Sequence, residues 1–289
     1  MQEIDKSILE KIYKTRSPDS RKYDYGLLIV IGGSDFYSGS PALSALAGFK
    51  AGVDMARIIA PERAADIIAS FSPILAAYPL QGRRINKEHL PVLLSMTEAA
   101  RIASRDNVAV VLGGGIGRSE ETQETILDFL SQISIPVIID ADAIYAVGKK
   151  KEVLKEKECL ITPHYYEFFS LTGKELYNVP LEERAKIVQE EAADLKVTIV
   201  LKGKDDIISD GQRTAISRLG SPYLTVGGCG DTLAGIAGAL VARKVPLFEA
   251  AAAAAYINSS AGILAAEEFG ESVTAIDLID KIDKVIKNN

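Results

Sequence analysis

Short, almost wholly apolar runs that end in glycine or a polar residue limit this fold more than any other feature. They are GLLIVIG (26–32), MARIIA (55–60), VAVVLG (108–113), PVIIDADA (136–143), CLITPH (159–164) and VTIVLKG (197–203). Each is rich in β-branched residues and too short for a helix, so each reads as a strand. A strand that is apolar along its whole length is covered on both faces, which points to a parallel sheet. Helical patterns lie between the runs. One spans 41–52 and closes at glycine, one spans 86–103 with Asn86 as N-cap, and others span 119–133 and 182–195. Pro61 opens a further helix, with His89 on a surface-like turn of the helix after it. Two shorter strands are expected at 206–209 and 213–218, and three last helices near Asp231, Pro246 and Thr274. Strand–helix alternation requires right-handed crossovers. The expected fold class is therefore α/β: a three-layer α/β/α sandwich with a mostly parallel central sheet.

Bulk properties narrow the function classes. The chain has 289 residues and a formal net charge of −6, which argues against nucleic-acid binding. Its two cysteines, Cys159 and Cys229, form no C-x-x-C pair and no disulfide framework, which suits a reducing cytoplasmic setting. The first twenty residues carry no apolar signal core. Ile4, Ile8, Leu9 and Ile12 fall on one face of a short amphipathic helix that docks on the domain. The Ala-rich run 250–266 is interrupted by Asn258, Ser259 and Ser260 and reads as a buried core helix, not a membrane span. No internal repeat or linker divides the chain, so one domain over 1–289 is expected. Glutamate-bracketed, Ala-rich helices near the C-terminus suit a homo-oligomer.

In open parallel sheets ligands sit beyond the carboxyl ends of the strands. Glycine and polar residues gather there: Gly32–Asp35, Gly113–Gly117, Asp140 and Asp142, Thr162–His164, and Lys202-Gly203. The stretch TVGGCGDTLAGIAGAL (225–240) places Gly227, Gly228 and Gly230 before an apolar helix, with Asp231 at the join. Bare backbone amides at a helix N-terminus cradle a phosphate. An acid there repels a bound anion but suits an acceptor hydroxyl, whose proton it removes as oxygen attacks phosphorus. The plainer alternative is that Asp231 caps the helix. Gly235 and Gly238 are expected to let this helix pack closely on a neighbour.

GGCGDTLAGI resembles the G-[GT]-G-D signature of ribokinase-like proteins. Together with VIGGSDFYSGSPALSALAGFKAG, VLGGGIGRS, VIIDADAI, ITPHYYEF and VLKGKDDIISDG, in that order, it is similar to the ADP- or ATP-dependent NAD(P)H-hydrate dehydratases. The resemblance runs from about residue 25 to the C-terminus. It implies a ribokinase-like fold without the fused epimerase domain of some members. The implied reaction phosphorylates the ring hydroxyl of hydrated NADH or NADPH from ADP or ATP, with Mg²⁺, and then releases phosphate. It assigns Asp231, Gly228 and Gly230 to catalysis. Substrate binding falls to Ser40, Pro41, Gly117, His164 and Asp231, and nucleotide binding to Lys202, Gly203, Lys204, Asp205, Asp206 and Gly230. Glu167 is assigned to a magnesium-bound water.

Several positions carry a structural reading beside the functional one. Ser40 and Pro41 also suit an N-cap followed by proline at the first helical position. Asp140 and Asp142 orient metal waters or cap the next helix, with capping preferred. GGGIGRS lacks the last glycine of a Rossmann loop because Arg118 stands there. Gly114, Tyr165-Tyr166 and Cys229 depart from the proline, proline-glycine and threonine usual in the family. Two aromatics after His164 suit stacking on a nicotinamide or adenine ring, and Cys229 reads as a small packing residue. The rival functions are a ribokinase-like kinase for a small molecule such as a vitamin precursor, and a nucleotide sensor without turnover.

Overall fold

The structure, a computed structural model, describes residues 1–287. Its strands are β1 (Gln2–Glu3), β2 (Leu27–Ile31), β3 (Met55–Pro61), β4 (Ala76–Leu80), β5 (Val108–Leu112), β6 (Val137–Ile139), β7 (Cys159–Ile161), β8 (Thr198–Leu201), β9 (Asp206–Ser209) and β10 (Thr214–Ser217). The helices of the first half are α1 (Ser7–Ile12), α2 (Gly39–Lys50), α3 (Glu62–Phe71), α4 (Leu90–Ala103), α5 (Glu120–Gln132) and α6 (Asp142–Lys149). Those of the second half are α7 (Tyr165–Thr172), α8 (Leu181–Leu195), α9 (Cys229–Ala242), α10 (Leu247–Phe269), α11 (Ala275–Ile279) and α12 (Ile282–Lys287).

All ten strands form one sheet in the order β1-β10-β9-β8-β7-β6-β5-β2-β3-β4. Only β9 runs antiparallel to its neighbours. Each central strand is buried on both faces, as its unbroken apolar sequence requires. Leu28 and Val30 of β2 enter one core with α2, α3, α9 and α10, while Leu27, Ile29 and Ile31 enter the other with α4 to α8. Period-2 alternation thus sorts a wholly apolar strand into two helical layers. The chain steps outward from β2 to β3 and β4, then returns to place β5 on the other side of β2. That reversal opens a crevice at the carboxyl ends of β2 and β5.

α9 follows from its glycines. A Cβ at Gly235 would lie 2.1 Å from the Ser44 carbonyl oxygen, and one at Gly238 would lie 2.5 Å from Val111 Cγ2. The helix therefore lies close against both α2 and the sheet, the packing expected of these two positions. α10 is long and apolar enough to cross a membrane by composition, but its alanines from Ala250 to Ala255 are buried in the protein core. Leu9 is fully buried and Ile4 nearly so, with Ile8 and Ile12 packed against them, so the N-terminal segment docks as expected, but the helix is shorter than its periodicity suggests: α1 covers only Ser7–Ile12 and Ile4 precedes it.

The structure differs from the sequence reading in a few places. β1 and β4 were not anticipated, and the single helix expected from Thr274 is split into α11 and α12. β4 reads AAYPL and is largely exposed, so it carries no apolar run. The segment 86–103 begins as a 3-10 turn, Lys87–His89, capped by Asn86. His89 is buried rather than on a surface-like face: its Nδ1 accepts from the Asn86 amide at 3.1 Å and its Nε2 lies 2.9 Å from the Gln81 carbonyl.

Candidate active site

The glycine stretch turns into α9 at Gly228, whose φ of +100° suits only glycine. A side chain there would meet Leu43 at 2.7 Å and Ala275 at 2.8 Å, so the part visible for Gly228 is to turn the chain tightly. Gly228, not Asp231, is the N-cap, and Asp231 lies within the first turn. The capping alternative for Asp231 therefore fails.

The Asp231 carboxyl lies beside the Ser40 side chain. Gly114 completes this wall: a Cβ there would stand 2.8 Å from Asp231 Oδ1 and 3.0 Å from Ser40 Cβ. Ser40 is likewise not an N-cap, because α2 begins at Gly39 behind Ser38. Its hydroxyl is free to face the acid. Ser44, one turn further along, donates to the Asp231 carbonyl at 2.9 Å and holds α9 on α2. Pro41 lies 3.0 Å from where a Gly32 Cβ would stand, so the bare end of β2 admits the start of α2.

Lys202, just beyond β8, carries its charge into the same cluster. Its Nζ donates to Asp140 Oδ1 at 2.9 Å, lies 3.6 Å from Glu167 Oε2, and is 3.3 Å from where a Gly230 Cβ would stand. Burial by itself would lower the Lys202 ammonium, but Asp140 and Glu167 outweigh it and hold the group above its ordinary range. The same burial, reinforced by the Asp140 charge, pushes the Asp231 carboxyl up to about 7, although Ser40 and Lys202 pull it back. An acid that exchanges its proton near neutral pH is suited to general-base work.

Asp140 and Asp142 cap nothing. Asp140 accepts from Thr162 Oγ1 at 2.6 Å as well as from Lys202. Asp142 accepts from the Gly117 amide at 3.0 Å and from Arg118 Nε at 2.7 Å, bracing the loop after β5. The preference for capping is corrected at both positions: Ala141, with φ of +50°, holds the cap position of α6. Gly117 borders open space and has a φ of +78°.

His164 and Glu167 form a reciprocal box at the start of α7. The His164 Nδ1 accepts from the amides of Tyr166 and Glu167 at 3.1 and 3.2 Å, and Glu167 Oε2 accepts from the His164 amide at 2.8 Å. An accepting Nδ1 leaves the ring proton on Nε2. Glu167 thus caps its helix and faces Lys202 at once.

The loop 202–206 is less unified. The Gly203 amide donates to Asp206 Oδ1 at 3.0 Å, and burial pushes that carboxyl up to about 6. Lys204 is exposed, and among the described residues neither it nor Asp205 is tied to the Asp231 cluster.

The role of Asn258, read from sequence only as an interruption of the alanine run, comes from the fold. Its Nδ2 donates to the Cys229 carbonyl at 3.2 Å, and its Oδ1 accepts from Thr232 Oγ1 at 2.6 Å, fastening the first turn of α9 to α10. The visible signal was a buried amide in an alanine run. Cys229 is itself buried, and burial followed by the Asp231 charge pushes its thiol up to about 11, as suits a packing residue.

Comparison with known proteins agrees with this geometry. The family model for NAD(P)H-hydrate dehydratase matches residues 28–284. A bifunctional NAD(P)H-hydrate repair enzyme of Pyrobaculum aerophilum is 43% identical over 94% of this chain and 53% of its own length. The chain thus spans about half the length of that relative. The ADP-dependent (S)-NAD(P)H-hydrate dehydratase of Cenarchaeum symbiosum is 35% identical, covering 98% of this chain and 96% of the relative. Among solved structures, the ADP/ATP-dependent NAD(P)H-hydrate dehydratase of Bacillus subtilis, co-crystallised with ATP and Mg²⁺, superposes with a TM-score of 0.84. It is 26% identical and covers 99% of this chain and 98% of its own. A ribokinase-like superfamily protein of Enterococcus faecalis superposes with a TM-score of 0.86 at 25% identity, over 99% of this chain and 95% of its own, so the fold is ribokinase-like.

Proposed function

The chain belongs to the NAD(P)H-hydrate dehydratase family, and on that premise we propose that it returns hydrated NADH or NADPH to the reduced cofactor. The observation that carries the reading is the burial of Asp231 beside Gly114 and Ser40, with the Lys202 ammonium next to Gly230.

In this reading the amides at the start of α9 and the Lys202 ammonium hold the terminal phosphate of ADP or ATP. ADP is the donor assigned first, because the full-length relative of Cenarchaeum symbiosum is named for it. The hydroxyl of the hydrated nicotinamide ring lies against Asp231 and Ser40. Asp231 takes its proton as the oxygen attacks phosphorus, and the bond to the donor's bridging oxygen breaks. The ring nitrogen's lone pair then expels inorganic phosphate, and loss of a proton from the adjacent carbon restores the double bond. Phosphate leaves where hydroxide would not. Gly117 and His164 border the dinucleotide side, and Lys202 to Asp206 border the donor side.

Magnesium fits this site only as a companion of the phosphates. Asp140 and Glu167 are hard oxygen donors, but Lys202 already stands between them and no group of three metal-ligating side chains exists among the described residues. Such carboxylates would hold the ion through water, and it would neutralise charge on the transferring phosphate. A cytoplasmic setting and a homo-oligomer belong to the same reading, supported by free buried cysteines and by exposed Phe71, Ile74 and Tyr78.

The test is incubation of the protein with hydrated NADH, Mg²⁺ and either ADP or ATP. Reduced-nicotinamide absorbance and free phosphate should rise together. A stable phosphorylated product instead would make the chain a small-molecule kinase, and nucleotide binding without either product would make it a sensor.

A further inference from the structure

A cavity of about 630 Å³ opens beside the reacting centre, between α7 and the loop that follows it. Tyr165 forms a fixed wall. Its hydroxyl engages Arg184, and a Cβ on Gly203 would stand 3.0 Å from that hydroxyl, so the ring is already packed. The other aromatics are not packed. Tyr166 is 64% exposed, Phe169 46% and Tyr177 75%. Tyr166 and Phe169 lie three residues apart on α7 and share one face, and Tyr177 comes from the facing loop. Glu175 and Lys202 line the same space.

Single exposed apolar residues are ordinary on a protein surface. Three aromatics around one concavity, with a lysine in its lining, mark a ligand pocket. We infer that this cavity is a base-stacking site for the adenine ring of a nucleotide whose phosphates lie at Lys202.

The chemistry favours adenine over nicotinamide. A hydrated reduced nicotinamide ring is non-aromatic and puckered and stacks poorly, and its hydroxyl must reach Asp231 on the Ser40 side. Adenine is flat, offers its whole face to Tyr166 and Tyr177, and carries an amino group that Glu175 can accept from. Tyr166 is also backed by Tyr145 at 6.2 Å, which in turn lies beneath the Arg118 guanidinium at 3.5 Å, so it presents a braced face. Two nucleotides of the proposed reaction carry adenine: the phosphoryl donor and the dinucleotide. The inference rests on that reading only for this choice of ligands.

The experiment is calorimetric titration of the full chain and of Tyr166→Ala and Tyr177→Ala with ADP, NADH and reduced nicotinamide mononucleotide. Each substitution should weaken ADP or NADH by about tenfold, as base–aromatic stacks do, and leave the mononucleotide unaffected. Tyr166→Phe should retain affinity. Loss for ADP alone assigns the cavity to the donor, and loss for NADH alone assigns it to the dinucleotide. Unchanged affinity for both, equal loss for the mononucleotide, or no binding of either adenine ligand by the parent chain overturns the inference. Failure of the proposed reaction shows separately, as absence of cofactor recovery and phosphate release by the parent chain, whatever the titrations give.

Discussion

Lys202 and Asp140 meet at 2.9 Å although they follow strands β8 and β6, with β7 between them. The pair spans the floor of the site, and Glu167 joins it from α7, the helix that follows β7. Lys202→Met would leave Asp140 and Glu167, both nearly fully buried, without their cation. Breaking such a buried pair costs about 3–5 kcal/mol. The loss should appear in denaturant unfolding, and a midpoint equal to the parent's would contradict the assignment.

Asp231→Asn should lower turnover by about 10²–10⁴-fold, the range for a positioned general base, with ADP affinity nearly kept. In the parent chain, kcat/KM should fall as pH drops below about 7, where the Asp231 carboxyl takes up its proton. A flat profile between pH 5 and 8 would remove Asp231 from that role.

The same substitution should stabilise the protein. The folded pKa of Asp231 is raised, so the folded chain holds this proton more tightly than the unfolded chain does. Its contribution to stability is fully present below the unfolded value of 3.8 and is lost as pH rises through about 7. Asn carries no such penalty. Its melting midpoint should exceed the parent's by a few degrees at pH 8.5, and the gap should close as pH falls towards 4.

Gly235→Ala places a methyl where the Ser44 carbonyl stands. Overpacking of this kind costs about 1–3 kcal/mol, and it should also lower turnover, because Ser44 ties Asp231 to α2. Gly39→Ala, at a position with nothing within 4 Å, is the control and should leave the melting midpoint unchanged.

Cys229 sits at a helix N-terminus, where a thiol is commonly acidified. Burial wins here, and its thiol is pushed up to about 11, that of Cys159 to about 12. At pH 8 only about one Cys229 in a thousand is thiolate. Intact-mass measurement after iodoacetamide treatment should show no adduct on the native chain and two on the denatured chain. Rapid labelling of native Cys229 would contradict its burial.

The central strands were legible because burial on both faces leaves only apolar, β-branched residues, as in LLIVI and VAVVL. β4 was not, because AAYPL is mostly exposed and its pairing with β3 is decided by the chain's return, not by its own side chains. The acid at 231 and the glycines before it announced themselves through local chemistry. What Asp140 does was hidden, since its partner lies sixty-two residues away. A strand-end aspartate before a helix looks like a cap until the fold brings Lys202 beside it. His89 was misread for a related reason: the Gln81 carbonyl that receives its proton comes from a preceding loop, and no periodicity records that contact.

The sheet's two borders have a consequence for how copies of this chain meet. One border is β1, only two residues long. The other is β4, where Pro79 offers no amide to an incoming strand. Neither rim can template a further strand, so molecules crowded together are steered away from endless ribbon growth and towards contacts between side chains.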